Sequence, residues 1–130
     1  VPCTPPPFGS LVAIDLKTGA KAWDVPLGDP SSLKPEIAAI SKTPLGTPNL
    51  GGPIVTASGI VFVGATMDHA IRAFDIETGR ELWKGTLPAG ARATPMTFQV
   101  TQGGKQYVVI AAGGNEDWGK GDYIVAFTLK

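Results

Sequence analysis

Residues 11–23, LVAIDLKTGAKAW, and residues 71–83, IRAFDIETGRELW, are two copies of one unit, and no other feature limits the fold so tightly. Aligned, they share Ala13/Ala73, Asp15/Asp75, Thr18/Thr78, Gly19/Gly79 and Trp23/Trp83, each pair 60 positions apart. A third, shortened copy, IVAFTLK at 124–130, places Ala126 where Ala13 and Ala73 stand. The alternation in LVAIDL and IRAFDI marks a short strand. Asp followed by Thr-Gly makes a hairpin turn, because the carboxylate accepts turn N–H groups and glycine tolerates positive φ. The next strand carries Trp, a flat ring suited to packing between stacked sheets. Asp15, Gly19, Trp23, Asp75, Gly79 and Trp83 are therefore structural, and the two aspartates are turn formers, not a catalytic carboxylate pair.

Further strand candidates lie between the copies: 53–58 and 60–66 around Ser58-Gly59, then 95–101 and 106–112 around Gln102-Gly103-Gly104. The predicted order is two strands, then four, then three. A meander of four-stranded units is the signature of a β-propeller. Residues 1–27 form the second half of a blade, 28–52 a long connection, 53–87 a complete blade, and 88–130 three strands of the closing blade. No stretch keeps a 3.6-residue period, and 33–40 has room for one helical turn at most. Both end sheets would expose an apolar face and an unpaired edge unless something covers them. The expectation is an all-β segment of a larger ring, about two to three blades of it.

Composition agrees. Of 130 residues, 43% are apolar and 17% charged, with 17 Gly and 12 Pro, the balance of short strands joined by tight turns. Eleven Lys plus Arg against eleven Asp plus Glu leave no basic field for a phosphate backbone, which argues against a nucleic acid partner. Cys3 alone cannot make an intrachain disulfide or a cysteine metal cluster, and it reads as a packed small residue among prolines. No apolar run approaches the ~20 residues of a spanning helix, and VPCTPPPFGS lacks the basic start and apolar stretch of a signal peptide. No targeting or membrane segment is read in the chain.

The pattern AxDxxTGxxxW, at 13–23 and 73–83, resembles the tryptophan-docking motif of dehydrogenases that use pyrroloquinoline quinone (PQQ). VPCTPPPFGSLVAIDLKTG, LGGPIVTASGIVFVGATMD, RAFDIETGRELWKGTLPAGARATPMTF, QYVVIAAGG and GDYIVAF resemble the C-terminal part of membrane-bound quinoprotein glucose dehydrogenases. Relatives acting on quinate, shikimate or polyols share this region. The resemblance implies an eight-bladed propeller, closed by pairing of its first and last strands, with Ca²⁺ or Mg²⁺ holding PQQ on the axis. It implies a catalytic Asp acting as base while hydride passes to PQQ, and electrons reaching ubiquinone through a membrane anchor. It implies a place at the periplasmic face of the bacterial inner membrane. It also puts the catalytic Asp and the metal ligands in other blades, so no catalytic and no metal-binding residue is assigned to this segment. In that family the position of Asn115 commonly carries His, and Asn does not titrate.

Strand direction adds a test independent of the family. The long irregular segments 1–9, 28–52, 86–94 and 113–122 all fall, by phase, on one face of the disc, where loop-borne function is expected. On that face Asn49-Leu50-Gly51-Gly52 leads into an innermost strand. It is either a plain turn or, with the family, a place where Leu50 meets the quinone ring and Gly51 lets backbone approach the cofactor. Arg92, in Ala91-Arg92-Ala93-Thr94-Pro95, is either a solvent-facing rim residue or the partner of a PQQ carboxylate or the substrate. Asn115 and Trp118 belong to a substrate loop, with Trp118 either gating or anchoring it. Asp68-His69, on a short connection, reads as a local turn or a tie between neighbouring loops, with the only histidine at the surface. Without a second His or a triad Ser, hydrolytic catalysis has little support.

Two function classes follow. One is a PQQ-dependent dehydrogenase of sugars or polyols, most concretely glucose to gluconolactone, in which this segment alone is inactive and needs the remaining propeller blades. The other is a non-catalytic propeller scaffold with the same Trp repeats, since a fold does not fix a function. A WD-repeat domain is weaker still, because Trp-Asp occurs once, at Trp23-Asp24.

Overall fold

The computed structural model describes residues 5–29 and 44–129. The helical turn considered at 33–40 and the packing of Cys3 lie outside the described residues. The described residues contain strands and no helix: β1 Ser10–Ile14, β2 Lys21–Pro26, β3 Ile54–Val55, β4 Ile60–Val63, β5 Ala70–Asp75, β6 Glu81–Thr86, β7 Met96–Gln99, β8 Gln106–Ala112 and β9 Tyr123–Thr128. They form sheets of two, four and three strands, each a meander in chain order, with every pairing antiparallel. The expected all-β, propeller-type architecture is what the chain adopts.

Some strands are shorter than the alternation suggested. The run 53–58 yields only Ile54–Val55, because Thr56 turns the chain: its N–H bonds the Ile60 carbonyl at 2.9 Å, and its own carbonyl accepts from Gly59 at 3.0 Å. The run 95–101 contracts to Met96–Gln99, between a proline without an N–H and the Thr101–Gly104 turn.

The two copies of the unit have one geometry. Ala13 pairs with Trp23 and Ile14 with Lys21; Ala73 pairs with Trp83 and Phe74 with Glu81, so the register slips at the same point in both. Asp15 N–H bonds the Ala20 carbonyl and Asp75 N–H the Arg80 carbonyl, each at 2.9 Å. Gly19 and Gly79 take φ of 71° and 70°, a left-handed turn that a side chain would strain. Asp75 Oδ1 accepts from the Glu77 and Thr78 N–H groups and from the Thr78 hydroxyl, and Asp15 Oδ1 accepts from Lys17 N–H. The Thr78 bonds, with that from Glu77, hold the Asp75 carboxyl below its ordinary value.

Two apolar layers join the sheets. Leu27, Val61, Val63, Ala65 and Phe74, with Leu11 and Val25, fill the space between the first and second. Ile71, Leu87, Ala89, Ala91, Ile110 and Ala112, with Val108, Val125 and Phe127, fill the space between the second and third. The middle strand β5 is consequently buried on both faces. Trp23 crosses the first junction, donating its indole N–H to the Ile76 carbonyl at 2.8 Å. A Cβ on Gly79 would stand 2.7 Å from that ring, so the glycine is also the seat on which the indole lies.

Trp83 stands at the second junction, against Phe127 of the third sheet. It remains 39% exposed and meets Phe127 edge-on, with centroids 5.1 Å apart.

Candidate functional site

The long connections between strands are tied to one another by main-chain hydrogen bonds. Phe8 N–H bonds the Leu45 carbonyl, Leu27 N–H that of Gly9, and Thr47 N–H that of Leu27. Leu50 N–H bonds the Ala65 carbonyl at 3.0 Å, and Leu87 N–H that of His69 at 2.7 Å. Gly90 donates to Trp118 and accepts from Gly114. Loops of all three sheets thus form one bonded layer, and every candidate cofactor or substrate-loop residue is on it.

Leu50 presents an apolar side chain that is 45% exposed. Gly51 has φ of 134°, and a Cβ there would come within 2.9 Å of the Arg92 carbonyl. The close approach that Gly51 permits is therefore to the neighbouring loop, and it puts Leu50 beside Arg92, whose residue is exposed. An exposed apolar side chain and an exposed arginine on adjoining loops suit a flat, acidic ligand. Clefts of about 520 and 560 Å³ between the sheets are lined by other residues, among them Phe74 and Glu81 in one and Phe62 and Phe127 in the other.

Asn115 and Trp118 build their loop. Asn115 Oδ1 accepts the N–H groups of Asp117 and Trp118 at 3.0 and 2.7 Å, an arrangement that neither needs nor allows titration. Trp118 is buried, and a Cβ on Gly90 would stand 2.8 Å from it. That burial suits the anchoring of the loop.

Residues 64–69 join β4 to β5 and hold the most charge-dense cluster. Asp68, whose side chain is fully buried, takes a two-pronged ion pair from Arg72, itself buried. Thr66 Oγ1 donates to Asp68 Oδ1 at 2.6 Å and accepts from Arg72 Nη1 at 3.1 Å. Arg72 Nε faces Glu81 at 3.2 Å, and Lys84 stands 3.9 Å from Asp68. Asp68 Oδ2 also accepts the main-chain N–H of Asp29 at 2.9 Å, tying this loop to the one that leaves β2. Burial opposes the Asp68 charge, but the Arg72 and Thr66 hydrogen bonds, the Arg72 charge and the Asp29 N–H outweigh it and lower the carboxyl below its ordinary value.

His69 departs from the surface residue expected: it is half-buried, has φ of 52°, and lays its ring against Gly119. Sequence reasoning passed over Arg72 and Thr66. The signal was present, since an arginine within the alternation of a middle strand needs a carboxylate beside it. Among the described residues, no group of three or more His, Cys, Asp or Glu is placed to hold a metal ion.

The chain matches the sequence pattern of a known family over residues 1–108, the PQQ glucose/ethanol/alcohol dehydrogenase β-propeller domain. It is 46% identical over 132 residues to a quinate/shikimate dehydrogenase (quinone) of Acinetobacter baylyi, covering 100% of this chain and 16% of that protein. It is likewise 46% identical to a quinoprotein glucose dehydrogenase of Escherichia coli, covering 99% of this chain and 16% of the relative. Among solved structures, a quinohemoprotein alcohol dehydrogenase from Comamonas testosteroni superposes with a TM-score of 0.66 at 28% identity, over 93% of this chain and 16% of that one. The chain therefore spans about a sixth of the length of these relatives.

Proposed function

This chain belongs to the PQQ-dependent quinoprotein dehydrogenase family, and from that premise we propose that it forms one wall of the cofactor channel in a dehydrogenase of sugars or polyols, glucose being the first substrate to test. The observation that carries the reading is the juxtaposition of Leu50 and Arg92 through Gly51. PQQ is a flat ortho-quinone with three carboxylates, and when bound it would supply the acceptor for the hydride, and with it the two electrons, of the oxidised alcohol. Leu50 offers an apolar contact to a ring face, and Arg92 offers a guanidinium to a carboxylate. The loop held by Asn115 and Trp118 lines the substrate side. The proton-accepting Asp and the Ca²⁺ or Mg²⁺ ligands belong to the remaining blades, and the segment by itself has no turnover. In the whole protein, electrons pass to ubiquinone through a membrane anchor at the periplasmic face.

The test uses the full-length protein prepared without cofactor. PQQ with Ca²⁺ or Mg²⁺ should restore oxidation of glucose to gluconolactone, followed with a ubiquinone analogue. Quinate or glycerol oxidation without glucose oxidation would overturn the substrate and leave the dehydrogenase standing. A full-length protein that takes up no PQQ would be a scaffold instead.

A further inference from the structure

The loop 64–69 touches the connections after β2, β6 and β8. Asp68 takes the Asp29 N–H from the loop after β2, and the Ala65 carbonyl takes the Leu50 N–H. Its His69 carbonyl takes the Leu87 N–H, and its His69 ring rests on Gly119. Both residues whose carbonyls accept these bonds, Ala65 and His69, have positive φ, 59° and 52°, a region uncommon for non-glycine residues. The stretch between them is held by Arg72. From β5 its guanidinium grips Thr66 and both oxygens of Asp68, the residues between the two strained positions, while Glu81 holds its Nε.

We propose that Arg72 is a positioning residue of the cofactor wall: by clamping Thr66 and Asp68 it sets the Ala65 carbonyl that holds Leu50 in place. The proposal rests on the reading of Leu50 as a PQQ contact. Arg72 itself is buried, and its role is to hold the loop. Its planar fork meets a carboxylate and a hydroxyl at once, and Lys, with a single compact ammonium, cannot reproduce that geometry. Arg72→Lys preserves charge and most of the volume while loosening the loop.

The experiment is a double-mutant cycle in full-length protein, read by equilibrium binding of PQQ in the presence of Ca²⁺. Leu50→Ala and Arg72→Lys should each weaken PQQ binding about tenfold or more, and the double variant should be no weaker than the worse single one. Hydrogen exchange of the Leu50 amide should quicken in Arg72→Lys. If that variant does not fold, Thr66→Val, which removes one hydroxyl from the clamp at nearly constant volume, takes its place with the same expectation. Unchanged binding in Leu50→Ala would overturn the cofactor-wall reading. Weakened binding in Leu50→Ala alongside unchanged binding in Arg72→Lys, or fully additive losses in the double variant, would overturn the role of Arg72 alone.

Discussion

The indole of Trp23 lies on Gly79, a residue of the next sheet, so closely that a single methyl group there would stand 2.7 Å from the ring. The same tryptophan donates its N–H to Ile76, 53 positions along the chain, so one side chain fastens two blades by both packing and a hydrogen bond.

Gly19 and Gly79 make a matched pair for testing this contact. Both have φ near 70°, but nothing lies within 4 Å of a Cβ on Gly19. Gly19→Ala is expected to cost about 1 kcal/mol, the penalty of a left-handed backbone. Gly79→Ala must also displace the indole and should cost about 2–4 kcal/mol. Urea unfolding of the full-length variants compares them, and equal losses would show that the ring does not rest on Gly79.

Trp23 and Trp83 should respond differently to truncation. Trp23→Phe keeps the ring contact and loses the bond to Ile76, for about 1 kcal/mol. Trp83→Ala, starting from a ring that is 39% exposed, should cost about 1–3 kcal/mol in this segment, less than the ~3–5 kcal/mol of a fully buried aromatic. A loss of ~4 kcal/mol or more at Trp83 in the complete protein would mean that another blade covers it.

Asp68 makes the blade junction acid-sensitive. Its carboxyl is lowered in the folded protein from an ordinary 3.8, so its stabilising contribution is full above that pH and is lost as pH falls through the lower folded value. Stability should therefore decline below about pH 4, and Asp68→Asn should show a shallower decline. Asp68→Ala strips Arg72 of its buried partner and is expected to cost about 3–5 kcal/mol at neutral pH. Chemical denaturation at pH 3, 5 and 7 reads both effects.

Trp118→Ala should release the 113–121 loop, because the ring is buried and its carbonyl holds Gly90. Faster amide exchange of Gly90 and Gly114 is the expected signature, with Trp118→Phe close to wild type. Unchanged exchange in Trp118→Ala would return the residue to a gating role.

The hairpin units were legible because every part of them is local. Asp75 and Thr78 are three positions apart, their bonds close one turn, and the alternation on either side follows from the two-residue period of a strand. The half-buried His69 and the clamp around Arg72 were not. Each depends on which residues a different sheet brings up against it.

The amino-acid order alone determined that this chain makes short antiparallel strands, where they turn, and that its tryptophans serve the junctions between sheets. Those outcomes rest on backbone sterics and on neighbours within a few positions. Only the tertiary structure decided that Gly51 makes room for Arg92, that Asp68 bonds the loop after β2, and that Arg72 grips Thr66 and Asp68. Such contacts join residues from separate strands and loops, and their geometry exists only once the blades have packed.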